Sequence, residues 1–575
     1  MIKLFGFLKK HLFALILSVV LIFIQVMCNL SLPRLMSEII NKGVMVNDIE
    51  MIWRTGGYML LITATGGISV VIASFLLSRI SASFGVDLRR AVFTKLTYAS
   101  LEQIGEFGTS TLVTRTTNDI NQLQQLIVIS RMLIMAPLMG VGGIIMAISE
   151  APTLSYIVFI VLALLIAIIG SALFLVVPKF KALQQKLDYL TLVLREYLTG
   201  LRVIKAFNKN KIELDRFGKA NEDLAATTLK ITRIMVFLIP SMMFIMNAST
   251  ILIIWVGGKQ IQSSGVEIGS IMAFMQYVTQ VLFSFLMMAM IFTFVPRAQV
   301  SANRIVDVLK SRNTVKQPEN MKAAPHVLVS TLEFLDATFR YAGAQEPVLK
   351  NISFKAKSGE TIAIIGGTGS GKTTLIDLIP RFYDLETGHI FVDGLDVRSY
   401  DLRDLREKIA LVPQKPVIFS GTISDNIRYG RDNATDEEVR RAARIAQAEE
   451  FINNLDDGYD THIAQGGTDI SGGQKQRLSI ARAIARDPEI FIFDDSFSAL
   501  DYKTDALLRK AIRKELKNKI IIIVAQRVTS IIDADQIIVL DNGEIVGIGK
   551  HKDLYANNQT YKEIVLSQME EGEVA

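Results

Sequence analysis

The chain has 575 residues, of which 50% are hydrophobic and 21% charged, and its formal net charge is +6. This length exceeds one ordinary domain and is typical of about two to four. The apolar fraction is too high for a wholly soluble protein, and the charged fraction is too high for a wholly membrane-embedded one. The single cysteine, Cys28, excludes a disulfide framework or a multi-cysteine metal site, and a small apolar residue in a membrane helix is its simplest interpretation. Positive charge spread over many loops indicates membrane topology and no nucleic-acid partner.

The N-terminus carries Lys3, Lys9 and Lys10 ahead of an apolar run from about Leu12 to Leu32. A secretory signal peptide begins in a similar way, but this run is longer than a signal-peptide core and no small-residue cleavage site follows it. We therefore expect a retained first membrane helix. The lack of a targeting segment and the compact loops favour a bacterial plasma membrane protein.

Six segments are apolar enough to cross a bilayer, whose core of about 30 Å requires about 20 residues of helix. They lie at about 12–36, 55–80, 129–149, 152–177, 234–258 and 271–296. Charged residues are nearly absent from them, as expected where a charge at the bilayer centre costs about 2.5 kcal/mol or more. The sequence therefore predicts a six-helix transmembrane domain.

Loop charge predicts the orientation of these helices. The connection between the fourth and fifth segments is rich in Lys and Arg, whereas the loops near 37–54, 150–151 and 259–270 are short and nearly neutral. By the positive-inside rule the basic connection is cytoplasmic, and both chain termini are then cytoplasmic as well.

The two inner connections, 81–128 and 178–233, are far longer than a turn needs and carry apolar residues at helical spacing. We expect the membrane helices to extend into the cytoplasm and to offer a docking surface for a soluble domain. Short coupling helices are expected at their tips, very roughly at 108–120 and 207–218.

The sixth segment is rich in flexible and aromatic side chains, with ten Met and Phe residues between Met272 and Phe294. Such side chains suit a cavity that accepts varied apolar ligands. A lipid-facing or packed position is the alternative for any one of them.

Composition changes after the sixth segment, and the predicted division is a transmembrane domain at 1–310, a linker at 311–330 and a nucleotide-binding domain at 331–575. In the last of these, strand-like runs alternate with helical ones, which indicates an α/β domain. Its strongest motif follows an apolar strand and opens a helix: Gly366-Gly367-Thr368-Gly369-Ser370-Gly371-Lys372-Thr373. This is a P-loop in its required context.

The P-loop residues have distinct expected roles. Glycines allow backbone amides to approach phosphate oxygens, and the helix N-terminus adds positive potential. Lys372 is expected to reach the β- and γ-phosphates of ATP, and Thr373 to bind Mg²⁺. A second apolar strand ends in Asp494, whose carboxylate is expected to hold magnesium through its water shell.

A third motif lies between these two anchors and points to a family. It reads Ile470-Ser471-Gly472-Gly473-Gln474 followed by Lys-Gln-Arg-Leu-Ser-Ile-Ala-Arg-Ala. It resembles the signature motif of ABC transporters, with Ile470 in place of the usual Leu. Gln414 in Leu-Val-Pro-Gln and the run from Ser498 to Asp501 strengthen the resemblance, as do two stretches of the membrane half, 195–207 and 301–305. The whole chain resembles the exporter class in which both domains share one polypeptide.

The resemblance implies roles for further residues. Tyr341 resembles the aromatic residue that stacks on adenine, and two cassettes in this family sandwich two ATP molecules head to tail. A partner half-transporter is therefore implied, with ATP and Mg²⁺ as cofactors. The residues implied in binding ATP are Tyr341, Gly366, Gly367, Thr368, Gly369, Ser370, Gly371, Lys372, Thr373, Thr374, Gln414, Ser471, Gly472, Gly473, Gln474 and Asp501. The implied magnesium site comprises Thr373, Gln414 and Asp494.

Three positions depart from the family pattern. Asp495 stands where most active cassettes have a Glu that polarises the attacking water, and its carboxylate is retracted by about 1 Å, a misplacement that can cost on the order of 100-fold in rate. Gln526 stands where a switch histidine is expected, and an amide cannot carry positive charge. Gln465 replaces an acidic residue usual before the signature.

Asp495 and Gln526 are both expected to flank one γ-phosphate, while Lys372, Thr373 and Asp494 are intact. This pattern resembles the degenerate subunit of bacterial heterodimeric multidrug exporters, in which this chain's own site would hydrolyse ATP slowly. Amphipathic drugs or lipids are the expected substrates, extruded from a membrane environment. The alternatives are a lipid flippase or exporter half and a mainly regulatory ATP-binding subunit.

Overall fold

A computed structural model of the chain describes residues 2–264, 266–317, 325 and 329–568. The internal contacts form two units. The first unit comprises Met1–Thr97 and Thr109–Ser311, and the second comprises Tyr98–Gly108 and Arg312–Ala575. The predicted linker is 311–330, and most of its second half lies outside the described residues.

Helices are the regular secondary structure of the first unit in the part of the chain that the structure describes. After a 3₁₀ segment at Ile2–His11, its helices are α1 (Leu12–Glu38), α2 (Ile49–Thr97), α4 (Thr109–Thr114), α5 (Ile120–Glu150), α6 (Ser155–Thr199), α7 (Leu201–Ala206), α8 (Asn210–Ser264) and α9 (Ile268–Lys310), while α3 (Leu101–Phe107) belongs to the second unit. Six helical stretches of the described chain are long and apolar enough to cross a membrane, which confirms the six predicted segments.

The predicted helical extensions are also confirmed. α2 has 49 residues, which corresponds to about 70 Å of helix and is more than twice the thickness of a bilayer core. Leu88 and Val92, in the part predicted to leave the membrane, are fully buried. The extension is therefore packed against neighbouring helices rather than isolated in solvent.

The structure places a short separate helix at the first predicted tip but not at the second. α4 (Thr109–Thr114) lies within 108–120, whereas residues 207–218 contain only the start of the long helix α8, because α7 ends at Ala206. A further short helix, α3, comes directly before α4. Ser100 caps α3 by accepting a hydrogen bond from the Gln103 amide, and Gly108 ends it with a φ of +74°. Apolar periodicity does not register these caps, so α3 was not predicted, and Gly200 similarly separates α7 from α6.

The Met- and Phe-rich segment divides between core and cavity. Phe274 is fully buried in the helical core, whereas Phe283 lines an apolar cavity of about 170 Å³ between α8 and α9. The other lining residues are Met242, Met243, Met246, Leu282 and Leu286. Two residues of the predicted set, Met290 and Phe292, have side chains outside the described part of the chain.

The second unit contains two main sheets and confirms the predicted α/β class. Its strands are β1 (Thr331–Phe339), β2 (Leu349–Lys357), β3 (Thr361–Gly366), β4 (Thr387–Val392), β5 (Leu395–Asp396), β6 (Ile409–Val412), β7 (Gly421–Thr422), β8 (His462–Ile463), β9 (Ile490–Asp494), β10 (Ile520–Val524), β11 (Gln536–Asp541) and β12 (Glu544–Gly549). β1, β2, β4 and β5 form an antiparallel sheet in the order β2-β1-β4-β5.

Helices cover these sheets. They are α10 (Lys372–Leu378), α11 (Leu402–Glu407), α12 (Ile423–Arg428), α13 (Asp436–Ile445), α14 (Glu449–Asn453), α15 (Gly472–Arg486), α16 (Tyr502–Glu515), α17 (His551–Asn557) and α18 (Gln559–Leu566). The larger sheet has the order β12-β11-β3-β10-β9-β6, and every pair in it is parallel except β11 with β12.

The order of the parallel strands positions the candidate site. β3 and β9 flank β10, and all three are buried on both faces, as expected for β-branched and aromatic runs in a parallel sheet. Ligands of such sheets bind at the carboxyl ends of the strands. The residues that follow β3, β10, β9 and β6 therefore converge at one edge.

Candidate nucleotide site at the edge of the parallel sheet

The P-loop connects β3 to α10 and requires glycine at two positions for different reasons. A Cβ on Gly366 would lie 2.0 Å from the Leu540 carbonyl oxygen, so the neighbouring strand leaves no room for a side chain. Gly371 has a φ of +97°, and a Cβ there would lie 2.8 Å from the Leu349 side chain. Between them lie the exposed Thr368 and Gly369 and the buried Ser370.

Lys372 is the first residue of α10, and its side chain folds back onto the backbone of the P-loop. Its amine donates hydrogen bonds to the carbonyl oxygens of Gly366 at 2.8 Å and Gly367 at 2.7 Å. Burial lowers the pKa of Lys372, and the carboxylates of Asp494 and Asp495 oppose that shift. The amine is therefore held at the mouth of the loop by partners that a phosphate can replace.

Thr373 and Asp494 meet across the edge of the sheet. The Thr373 hydroxyl donates to a carboxylate oxygen of Asp494 at 3.2 Å. Asp494 is only 6% exposed, and this burial raises the pKa of its carboxyl, as does the charge of Asp495, while the Thr373 hydrogen bond lowers it. Hydroxyl and carboxylate oxygens are ligands that Mg²⁺ prefers, so these two residues fit the implied ion.

Asp495 follows β9 in a left-handed backbone conformation, with a φ of +45°. Its amide donates to the Val524 carbonyl at 2.9 Å, which ties it to the adjacent strand β10. Its carboxylate accepts a hydrogen bond from the side-chain amide of Gln414 at 3.2 Å. The structure thus brings together two residues that lie 81 positions apart and that the sequence assigned to one site.

Gln526 follows β10 and has an exposed side chain. Its backbone carbonyl accepts a hydrogen bond from the Gln568 side chain at 2.8 Å, and the same side chain accepts from the Val528 amide at 2.9 Å. Gln568 was not among the predicted site residues, because nothing in its local sequence marks it as a partner of a segment 42 residues away. It acts by fixing the backbone that carries Gln526.

Tyr341 lies close to the P-loop helix. Its hydroxyl is 3.0 Å from the hydroxyl of Thr374, and its ring packs edge-on against Tyr383 at 5.3 Å between centroids. Thr374, the third residue of α10, is buried and is held by Tyr341 rather than open to a ligand. The ring therefore lies beside the first turn of α10, and its stacking on adenine stays a prediction.

The signature motif forms the N-terminus of α15. Ser471 caps the helix by accepting from the Gln474 amide, and the Gln474 side chain accepts in return from the Ser471 amide at 2.8 Å. Ser471 and Gly472 are exposed, and a Cβ on Gly472 would meet no atom within 4 Å. In the described residues no hydrogen bond joins this N-terminus to the P-loop.

The carboxylate of Asp501 also has a hydrogen-bond partner close to it in the chain. Its carboxylate caps α16 by accepting from the Thr504 amide at 2.9 Å, and this hydrogen bond lowers the pKa of the carboxyl. Gln465 is exposed in a short 3₁₀ turn ahead of α15. The site formed by this chain alone therefore comprises the P-loop, Gln414, Asp494, Asp495 and Gln526.

Asp377, on the helix that the P-loop opens, is a charged residue that sequence patterns did not single out. Burial and the nearby charge of Asp494 raise its pKa to about 6. An amphipathic pattern identifies a polar position on a helix but cannot tell how deeply the neighbouring elements bury it. The carboxylate form of Asp377 therefore destabilises the nucleotide-free domain at neutral pH.

Asp377→Asn is expected to stabilise the protein in a pH-dependent way. A raised carboxyl pKa stabilises the fold at pH values below the unfolded pKa of about 4, and this contribution is lost as the pH rises through about 6. Removing the carboxyl should raise the free energy of unfolding of the nucleotide-free full chain more at pH 8 than at pH 4.5, by on the order of 2 kcal/mol, and should therefore raise the thermal midpoint more at pH 8. The exposed control Asp456→Asn should shift neither midpoint, and equal shifts of Asp377→Asn at both pH values would contradict the account.

Comparison with protein families assigns both halves of the chain. Residues 15–285 match the family model described as the ABC transporter transmembrane region, and residues 349–498 match the one described as ABC transporter. The second match contains the P-loop, Gln414, the signature motif, Asp494 and Asp495, whereas Gln526 lies beyond its end.

Relatives of known sequence match over most of their length. The chain is 40% identical over 549 residues to an uncharacterized ABC transporter ATP-binding protein of Mycobacterium tuberculosis, covering 95% of this chain and 94% of that protein. It is 31% identical over 525 residues to an ATP-dependent lipid A-core flippase of Desulfotalea psychrophila, covering 90% and 91%. It is 33% identical over 467 residues to a fatty acid ABC transporter ATP-binding/permease protein of Mycobacterium bovis, covering 81% and 73%.

Proposed function

The chain belongs to the ABC transporter family, as an exporter half-transporter with membrane and ATP-binding domains in one polypeptide, and on that premise we propose that it works in a heterodimer as the subunit with the slow ATP site. It binds ATP and Mg²⁺ at its own P-loop. The partner half-transporter supplies the faster site. The pair extrudes an amphipathic lipid-like or drug-like molecule across a bacterial plasma membrane, with both termini of this chain in the cytoplasm.

The selective pattern of replacement in one site is the observation that carries this proposal. Lys372, Thr373 and Asp494 retain the groups that bind phosphate and magnesium, and Thr373 and Asp494 lie within hydrogen-bonding distance. Asp495 and Gln526, the two positions expected to act on the attacking water and the γ-phosphate, are both replaced. A site that keeps its binding groups and loses its catalytic ones binds ATP and turns it over slowly.

The geometry around Asp495 supports slow hydrolysis. A general base must lie within hydrogen-bond reach of the water that it activates. The shortened carboxylate of Asp495 is instead bonded to Gln414 at 3.2 Å, and the left-handed backbone fixes its origin beside β10. Gln526 donates and accepts hydrogen bonds but supplies no positive charge to a transferring phosphoryl group.

The signature motif gives this chain a role in the partner's site. In the proposed dimer, the exposed N-terminus of α15 faces ATP held by the partner's P-loop, where unpaired helix amides bind phosphate. The capping box of Ser471 and Gln474 leaves Gly472 open on the outer side. An idle regulatory subunit needs no such surface, so the intact motif favours the transporting heterodimer over that alternative.

The segment that carries α3 supports a coupling role. It belongs to the same unit as the ATP-binding domain, where the Ser100 hydroxyl lies 2.8 Å from that of Thr314. Burial raises the pKa of Tyr383, and the charge of Glu102 on α3 contributes to that shift. Tyr383 in turn packs against Tyr341, whose hydroxyl lies 3.0 Å from that of Thr374 on α10. We infer that α3 passes the nucleotide state to the membrane helices.

A lipid-like substrate is the second, more specific candidate. One relative is named a lipid A-core flippase and another a fatty acid transporter. The apolar cavity of about 170 Å³ that Met242, Met246 and Phe283 help to line accepts hydrocarbon groups of varied shape, because thioether side chains repack readily. Lipid extrusion and drug extrusion share these features, and transport assays with both substrate classes distinguish them.

ATPase activity of the purified full chain in nanodiscs tests the heterodimer. The chain alone should hydrolyse ATP very slowly, since a self-dimer contains two sites with Asp495 and Gln526. Co-purification with its partner half-transporter should raise the turnover rate by on the order of 100-fold, because one site then has a competent base. Brisk hydrolysis by the chain alone would contradict the proposal.

A further inference from the structure

A second and larger cavity lies at the N-terminal end of the helical unit. Its volume is about 490 Å³, within the range of roughly 300–1,000 Å³ typical of ligand sites. The 3₁₀ segment Ile2–His11 and helices α1, α5 and α9 contribute its walls. The walls are mainly apolar and include Phe5, Leu8, Leu12, Leu126, Leu133 and Val295.

One cation borders this apolar volume. Lys9 lines the cavity, is exposed, and forms no ion pair with any residue that the structure describes. The adjacent Lys10 does not line it and is 3.4 Å from the carboxylate of Asp87. Ser130, the other polar lining residue, donates its hydroxyl to the Ile127 carbonyl of its own helix. Among the described lining residues, the cavity therefore offers hydrocarbon walls and one positive charge without an ion pair.

This combination matches an amphiphile with an anionic head. The cavity begins where the lysines of the N-terminal segment give way to the apolar run of α1, which is where a chain enters a bilayer. Basic side chains at a cytoplasmic membrane surface are attracted to anionic lipids. On the side of the 3₁₀ segment, Phe5 and Leu8 form the apolar wall of the cavity.

We propose that this cavity binds one acyl chain of an anionic phospholipid of the cytoplasmic leaflet, with the lipid phosphate beside Lys9. The site lies apart from the cavity between α8 and α9 that contains Phe283. It rests on the orientation proposed above, in which the N-terminus is cytoplasmic, and it does not depend on how fast the nucleotide site hydrolyses ATP. A bound lipid would hold the N-terminal segment against α5.

Photolabelling of the full chain in phosphatidylcholine nanodiscs tests the site. The probe is phosphatidylglycerol with a photoactivatable group in its acyl chain, and labelled peptides are mapped by mass spectrometry without ATP. Labelling should concentrate on the peptides that contain Phe5–Leu12 and Leu126–Leu133. Lys9→Ala should lower it about fivefold, the effect expected for one basic side chain near an anionic surface. Leu126→Trp, which fills the cavity, should lower it as well.

Lys10→Ala is the matched control, because it removes the same charge one residue away and outside the cavity lining. It should leave labelling within about twofold of the parent protein. An equal loss in Lys10→Ala would show diffuse attraction to surface charge and overturn the proposal. Equal labelling by a phosphatidylcholine probe would overturn it too, as would labelling by a photoactivatable free fatty acid but not by phosphatidylglycerol. None of these outcomes depends on ATPase activity, so they leave the proposed function untouched.

Discussion

Gly472→Glu is expected to reduce ATP turnover of the assembled transporter by on the order of 100-fold or more. Gly472 is the first residue of α15, and a Cβ there would meet no atom within 4 Å. The fold therefore accommodates Glu, and a carboxylate at a helix N-terminus even stabilises the helix. In the proposed dimer this carboxylate would face the phosphates of ATP on the partner's P-loop. Like-charge repulsion in a nearly dry interface then removes the productive closed state.

Two variants separate the causes of this loss. Gly472→Gln has nearly the same bulk without the charge and should retain more turnover than Gly472→Glu. Thr468→Glu places the same charge on an exposed position just before the motif and should leave turnover near that of the parent protein. ATPase assays of the co-purified complex, with thermal midpoints as a folding check, provide the measurement. Wild-type turnover in Gly472→Glu would contradict a role of α15 in the partner's site.

Lys372→Ala is expected to weaken ATP binding at this chain's own site by about 10- to 100-fold, the usual worth of a charge-assisted hydrogen bond. The Lys372 amine now bonds the carbonyl oxygens of Gly366 and Gly367 at the loop mouth. ATP phosphates would take over the amine, because burial has already removed part of its hydration. The binding stoichiometry of the assembled transporter should fall from about two ATP to about one.

Equilibrium binding of a fluorescent ATP analogue to the complex measures both affinity and stoichiometry. The exposed Lys415→Ala removes a charge near Gln414 and serves as the control, with two sites expected. Retention of two tight sites in Lys372→Ala would show that this P-loop does not bind ATP. Loss of both sites would show that the partner site depends on this lysine, which the account does not allow.

The parts of the site that local sequence determines were predicted, and those that tertiary contacts determine were not. The P-loop required a strand, glycines and a helix in one short segment, and the structure places Lys372 and Thr373 accordingly. The bond between Gln568 and the Gln526 carbonyl joins segments 42 residues apart, and no pattern in either marks it. The raised pKa of Asp377 similarly arises from burial by neighbouring elements.

The membrane half shows the same division. Apolar length alone identified the six spans, because a bilayer imposes a fixed thickness on any helix that crosses it. The ends of the helices depend on caps such as Ser100 and on the left-handed Gly108, which periodicity does not detect. The predicted tip at 108–120 accordingly contains the short helix α4, but α3, which begins at Leu101, was not predicted.

Asp495→Ala in the assembled transporter tests most directly whether this chain's own site is slow. We expect its ATP turnover in nanodiscs to stay within about twofold of the parent complex, whereas replacing the corresponding catalytic carboxylate of the partner half-transporter should reduce turnover by on the order of 100-fold or more. If Asp495→Ala reduces turnover as severely as the partner substitution, Asp495 is a working catalytic carboxylate and the site is not degenerate.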